Sequence, residues 1–163
     1  MDQKSKTRAQ RLAARKATQD ANLFGRLQAA ATASRTQAQR LLLSAGGLSI
    51  TQWRILWDLH EAGPLSVQDM ASIQRTDHSL VSRALPAMRD KGYVETVPNP
   101  DDKRQSLVNM TAAGAQAYAN AAPIMQMRRD GLSESFDQDE IATFLRLIDR
   151  YEAHLNQPNL ESE

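Results

Sequence analysis

Apolar and polar positions along this chain alternate with a helical period almost throughout, and the period breaks once, past residue 92. Val81, Ala84, Leu85 and Met88 recur three and four apart, which places them on one side of a helix, while Ser79, Ser82 and Arg83 share another side. Lys91 and Gly92 end that helix with a basic residue followed by a glycine. From Tyr93 to Val97 the pattern changes to β-branched and aromatic residues, which predicts a strand. Asn99-Pro100-Asp101-Asp102 is turn chemistry, because Pro fixes φ and Asn and Asp tolerate tight bends. Lys103 and Arg104 follow the tip, and Ser106 to Met110 reads as the returning strand.

The flanks are helical. Leu23, Phe24, Leu27, Ala30 and Ala31, then Leu41 to Leu43, predict a helix over 21–46 that Gly46-Gly47 stops. Ser49 or Thr51 caps a second helix, with Trp53, Leu56, Trp57 and His60 as its core face and Gly63-Pro64 at its end. Leu65 is expected as a short strand beside the hairpin. Ser66 caps a short helix, Val67 to Ile73, and Asp69 three residues on suits a capping box. Gln74 to Thr76 is the turn before the helix already described, which Asp77 or Thr76 caps. Thr111 caps a long helix from Ala112 to about Arg129, with a kink expected at Pro123. A last helix runs from about Asp137 to Leu155. Its stripe of Ile141, Phe144 or Leu145, Ile148, Tyr151 and Leu155 must be buried against something.

Composition narrows the chemistry. The chain has 163 residues, 41% apolar and only 5% aromatic, with no cysteine. That removes disulfides, thiol sensing and thiolate metal sites. The three histidines, His60, His78 and His154, form no close pair, so neither metal nor cofactor is expected. A Gly-rich phosphate loop and a nucleophile elbow are both missing, so the chain does not read as an enzyme. No apolar run approaches the ~20 residues that span a bilayer, and no apolar core follows the basic start as in a secretory signal. A cytoplasmic protein is expected, with no membrane partner.

Net charge is only +1, but it is unevenly spread. Residues 1–20 carry six cations against two acids, and residues 132–163 carry two against eight. Such asymmetry suits nucleic-acid contact. Two short helices joined by a tight turn, followed by a hairpin with a basic tip, form the geometry of a winged helix-turn-helix. The second helix can reach base edges in a major groove and the hairpin a flanking minor groove. The candidate DNA contacts are Thr76, His78, Ser79, Leu80, Ser82 and Arg83 on the helix, and Lys103 and Arg104 on the wing. Asp102 is placed to hold Arg104. Over 76–104 five cations face five acids, which leaves a second reading open: a winged-helix protein-interaction module that binds no DNA.

These motifs resemble the MarR-type transcription regulators. Their wing carries Asp-x-Arg, five residues, then Leu-Thr; here Asp102-Lys103-Arg104 is followed by five residues and Met110-Thr111. Ser79-Leu80-Val81-Ser82-Arg83 is similar to the family's Ser-Thr-Val-Thr/Ser-Arg, and Lys91-Gly92-Tyr93-Val94-Glu95 to its Lys-Gly-Leu-Val-Glu. Leu80 departs from a common Thr, Pro86 interrupts the recognition helix, and Thr96 stands where Arg is common. The resemblance implies a mainly α fold with a small β-hairpin wing. A basic, mobile arm over 1–20 and a tail over 158–163 would enclose two parts. One is a DNA-binding domain at 48–111; the other is a helical dimerisation region at 21–47 and 112–157. It further implies a homodimeric repressor on double-stranded DNA with a pseudo-palindromic operator, relieved by a small aromatic or phenolic ligand. Trp53, Trp57, His60 and Arg40 are the candidates for that ligand, although the aromatic three could equally be core.

Overall fold

The structure, a computed structural model, describes residues 7–100, 102 and 104–157. They divide into two compact units between Ala122 and Pro123. The first contains helices α1 (Arg8–Asp20), α2 (Leu23–Ser44), α3 (Ile50–Ala62), α4 (Val67–Ile73) and α5 (His78–Asp90). Strands β1 (Val94–Pro98) and β2 (Ser106–Met110) follow, then helix α6 (Ala112–Asp130), which begins in the first unit and ends in the second. Helix α7 (Gln138–Leu155) lies in the second.

Local chemistry sets the boundaries. Ser49 is the N-cap of α3 and closes a capping box with Gln52, and Ser66 does the same for α4 with Asp69. Asp77 caps α5, and Thr111 Oγ1 accepts from the Gly114 amide at the start of α6. Gly92, at φ +67, turns α5 into the hairpin: its amide donates to the Arg89 carbonyl and the Tyr93 amide to that of Met88. Those bonds hold Tyr93 at the helix end. The ladder therefore starts at Val94, not at Tyr93 as the pattern predicts, and runs one residue further, to Pro98.

β1 and β2 pair antiparallel from Val94↔Met110 to Pro98↔Ser106, and Leu65 adds the expected bridge at Val108. Beneath the hairpin and α3–α5, Leu48, Ile55, Leu56, Met70, Val81, Leu85 and Met88 are fully buried. Each such side chain contributes about 1.5–3 kcal/mol. The inner face of α3 is Trp53, Ile55, Leu56 and Leu59 with Gln52. His60 is exposed and does not belong to it, which corrects the expected core face. Gly114 sits so close to the Tyr93 carbonyl that a Cβ would lie 2.1 Å from that oxygen, so only glycine joins α6 to the wing here.

The flanking helices are less covered. Residues 8–20, expected to be frayed or weakly helical, form helix α1, started by a Thr7–Gln10 capping box but with no buried residue. On α2 only Ala38 and Leu42 are buried, so most of its apolar stripe stays exposed, Leu23 and Phe24 included. In the second unit α7 starts with an Asp137–Glu140 capping box and buries none of its residues. Phe136, Phe144, Leu145 and Leu155 are all exposed, and Leu132, Phe136, Ile141, Phe144, Leu145 and Leu147 line an apolar groove of about 520 Å³. No helix of the described residues is long and apolar enough to cross a membrane. The tail over 158–163 lies outside the described residues.

Candidate nucleic-acid interface

The α4–α5 pair carries the helix candidates for DNA contact. The turn between them, Gln74 to Asp77, is held by bonds from the Gln74, Arg75 and Thr76 amides to carbonyls of α4. Arg75 adopts φ +48, a conformation that non-glycine residues seldom take. Asp77 then receives the Ser79 amide at 2.6 Å. The bonds from Ser79, and the nearby Arg83 and His78 cations, hold the Asp77 carboxyl below its ordinary range.

The helix candidates are brought onto one accessible edge. His78, Leu80 and Arg83 are exposed, and Thr76, Ser79 and Ser82 half-buried. Arg83 lies back along the helix, with Nε donating to the Ser79 carbonyl at 2.9 Å and Nη2 to Ser79 Oγ at 2.8 Å. Ser82 Oγ also donates to that carbonyl. Exposed Leu80 adds an apolar contact of the kind that suits a thymine methyl group.

On the wing, Asp102 does hold Arg104. Its Oδ1 accepts from the Arg104 amide at 2.9 Å and lies 3.6 Å from Arg104 Nε. The Arg104 side chain is 94% exposed, so the guanidinium is accessible at the hairpin tip beside Asp102. Lys103 lies outside the described residues.

Three of the four ligand candidates are gathered in one aromatic cluster, and Arg40 is not among them. Trp53 is buried and stacks on Tyr118 of α6, with ring centroids 5.1 Å apart; His60 stacks on the same ring at 4.2 Å, and Trp57 lies 6.1 Å from Trp53. Tyr118, the only aromatic residue of α6, organises this cluster, and the sequence reading missed it. Arg40 lines a separate recess with Arg35, Thr36, Gln39 and Ile50. Among the described residues no group of His, Asp and Glu side chains is placed to hold a metal ion.

The sequence model of the MarR family matches residues 48–106, the span of α3, α4, α5 and most of the hairpin. Over that span the chain is similar to the MarR family. A transcriptional repressor from Pseudomonas putida, IacR, is 30% identical over 101 residues, covering 62% of this chain and 59% of the repressor's own length. The crystal structure of a MarR/EmrR family transcriptional regulator from Acinetobacter sp. ADP1 superposes with a TM-score of 0.74 at 25% identity, covering 85% of this chain and 97% of that one. A mutant MarR from E. coli, complexed with operator DNA, gives a TM-score of 0.63 at 26% identity, covering 80% and 98%. The family is one of transcriptional regulators and not of enzymes. The matched span coincides with the lobe that carries α5 and the wing.

Proposed function

We propose that this protein is a MarR-type regulator, a cytoplasmic homodimer that recognises a pseudo-palindromic DNA operator. It represses transcription until a small aromatic or phenolic ligand releases it. The observation that carries this reading is the pairing, in one lobe, of the accessible α5 edge with a tip arginine held by Asp102. Base edges are read by such a helix, whereas an accessible guanidinium suits a narrow minor groove of concentrated negative potential. The mutant E. coli MarR complexed with operator DNA supports DNA recognition, and the likeness to the repressor IacR supports its sign. The apolar face of α7 supports a second copy as its cover. Of the aromatic ligand candidates, Trp57 and His60 keep accessible surface, while Trp53 serves the core.

Selection of bound fragments from random duplex DNA tests this reading. It should return an imperfect palindrome with half-sites about 34–36 Å apart, and a panel of small aromatic acids and phenols should contain a compound that releases it. The charge balance over 76–104 keeps a second reading open, a protein-interaction module, and a selection that enriches nothing would count against DNA recognition and for that module.

A further inference from the structure

The core leaves the DNA-facing end of α5 without an anchor. Val81 is the first buried residue of that helix; His78 and Leu80, before it, are exposed. Packing fixes the helix from Val81 onward, so the pose of its first turn depends on the turn that precedes it. That turn is tied to α4 by backbone bonds and to α3 by side chains. Gln74, only 7% exposed, donates its side-chain amide to Asp58 Oδ2 at 2.6 Å, and Arg54 Nη2 donates to the Gln74 carbonyl at 2.7 Å.

We propose that Gln74, held by Asp58 and Arg54 of α3, is a positioning residue that sets the pose of the first turn of α5, a role that rests on α5 being the DNA-reading helix. The strut has open space on both sides. Arg54 and Gln74 line a recess of about 250 Å³ that also contains Thr76 and Leu80, and a second of about 540 Å³ that contains Trp57, Glu61 and Ile73. The two hydrogen bonds fix the direction of the buried Gln74, which its burial alone does not. Burial pushes the Asp58 carboxyl up, while Gln74 and Arg54 act in the opposite direction. This half-buried acceptor depends on its partners, and losing the Gln74 bond leaves it poorly satisfied.

The test separates pose from stability. Asp58→Leu removes the acceptor, Gln74→Leu removes the donor, and Asp58→Asn keeps an accepting oxygen. Affinity is measured for the selected operator and for a random duplex over a salt series, with thermal melting as the control for folding. The two Leu variants should lose about tenfold in preference for operator over random duplex, the scale of one hydrogen bond to a charged group. Their random-duplex affinity and salt slope should stay at the wild-type value, and Asp58→Asn should keep the preference. If a Leu variant fails to melt cooperatively, Gln74→Ser, polar but too short to reach Asp58, gives the same comparison. Full preference in folded variants that lack the bond, or parallel loss on both duplexes, overturns the positioning role. A wild-type protein with no sequence preference overturns the DNA-reading role of α5 and the strut's role with it.

Discussion

Helix α5 buries Val81, Leu85 and Met88 within its own lobe, whereas α7 buries nothing in the same chain. Yet both start from an aspartate cap and both carry an apolar stripe at helical spacing. For α5 the cover is close in sequence: α3, α4 and the hairpin all lie within the same lobe. For α7 the described residues provide no such cover, and Phe144, Leu145 and Leu155 are exposed. An amphipathic pattern thus states that a face will be buried without stating by what. The lobe covers its own core within one chain; the apolar face of α7 is what the proposed second copy would cover.

The largest expected effect lies on α7. Ile148→Asp would place an unpaired charge in the dimer seam, at a cost of several kcal/mol. Light scattering should find monomer, and operator binding should be lost with the dimer, while the lobe keeps its fold by circular dichroism. A dimeric Ile148→Asp variant would remove the contrast between the two helices.

Leu85→Ala tests the other side. It opens a cavity beneath the lobe and should cost about 2–5 kcal/mol in denaturant unfolding. Leu145→Ala should instead act through association, so its effect should shrink as protein concentration rises. A concentration-independent loss at Leu145 would show that a single chain covers that face.

Within the lobe, Arg83 and Arg104 differ in a measurable way. If Arg83 leaves Ser79 to read a base, Arg83→Ala should cost about 1–3 kcal/mol and relax preference at one position per half-site. Arg104→Ala should lower affinity across many sequences and flatten the salt dependence. Equal weakening on every sequence by Arg83→Ala would assign Arg83 to a phosphate.

The smallest effect is at the Asp77 cap. Its carboxyl is held below the ordinary value of 3.8, so its contribution to stability is present above that pH and is lost as pH falls through the lowered value. Asp77→Asn, which retains a capping oxygen, should melt with a shallower decline over that acid range. An unchanged decline would place the acid sensitivity at other carboxylates.

Most of the lobe is legible in the sequence because its signals are local. Ser49, Ser66, Asp77, Asp137 and Thr111 cap helices within three residues of themselves, and Gly92 ends α5 by its own conformation. The Asp102–Arg104 pair spans two residues and is readable for the same reason. What escapes is set by tertiary geometry. Gln74 reaches Asp58 sixteen residues away, Tyr118 meets Trp53 across two helices, and Gly114 is required only because the Tyr93 carbonyl approaches it. The helical order of α1 was marked by Thr7 and Gln10, but a run of exposed cations obscured it.

Sedimentation equilibrium of the full chain, alone and with the selected operator duplex, tests the central claim most directly. A two-fold reader whose α7 face is covered by a second copy should sediment at twice the 18.1 kDa chain mass at micromolar concentration, and should place two chains on each palindromic duplex. A species of one chain mass that binds a single half-site without pairing would contradict the account.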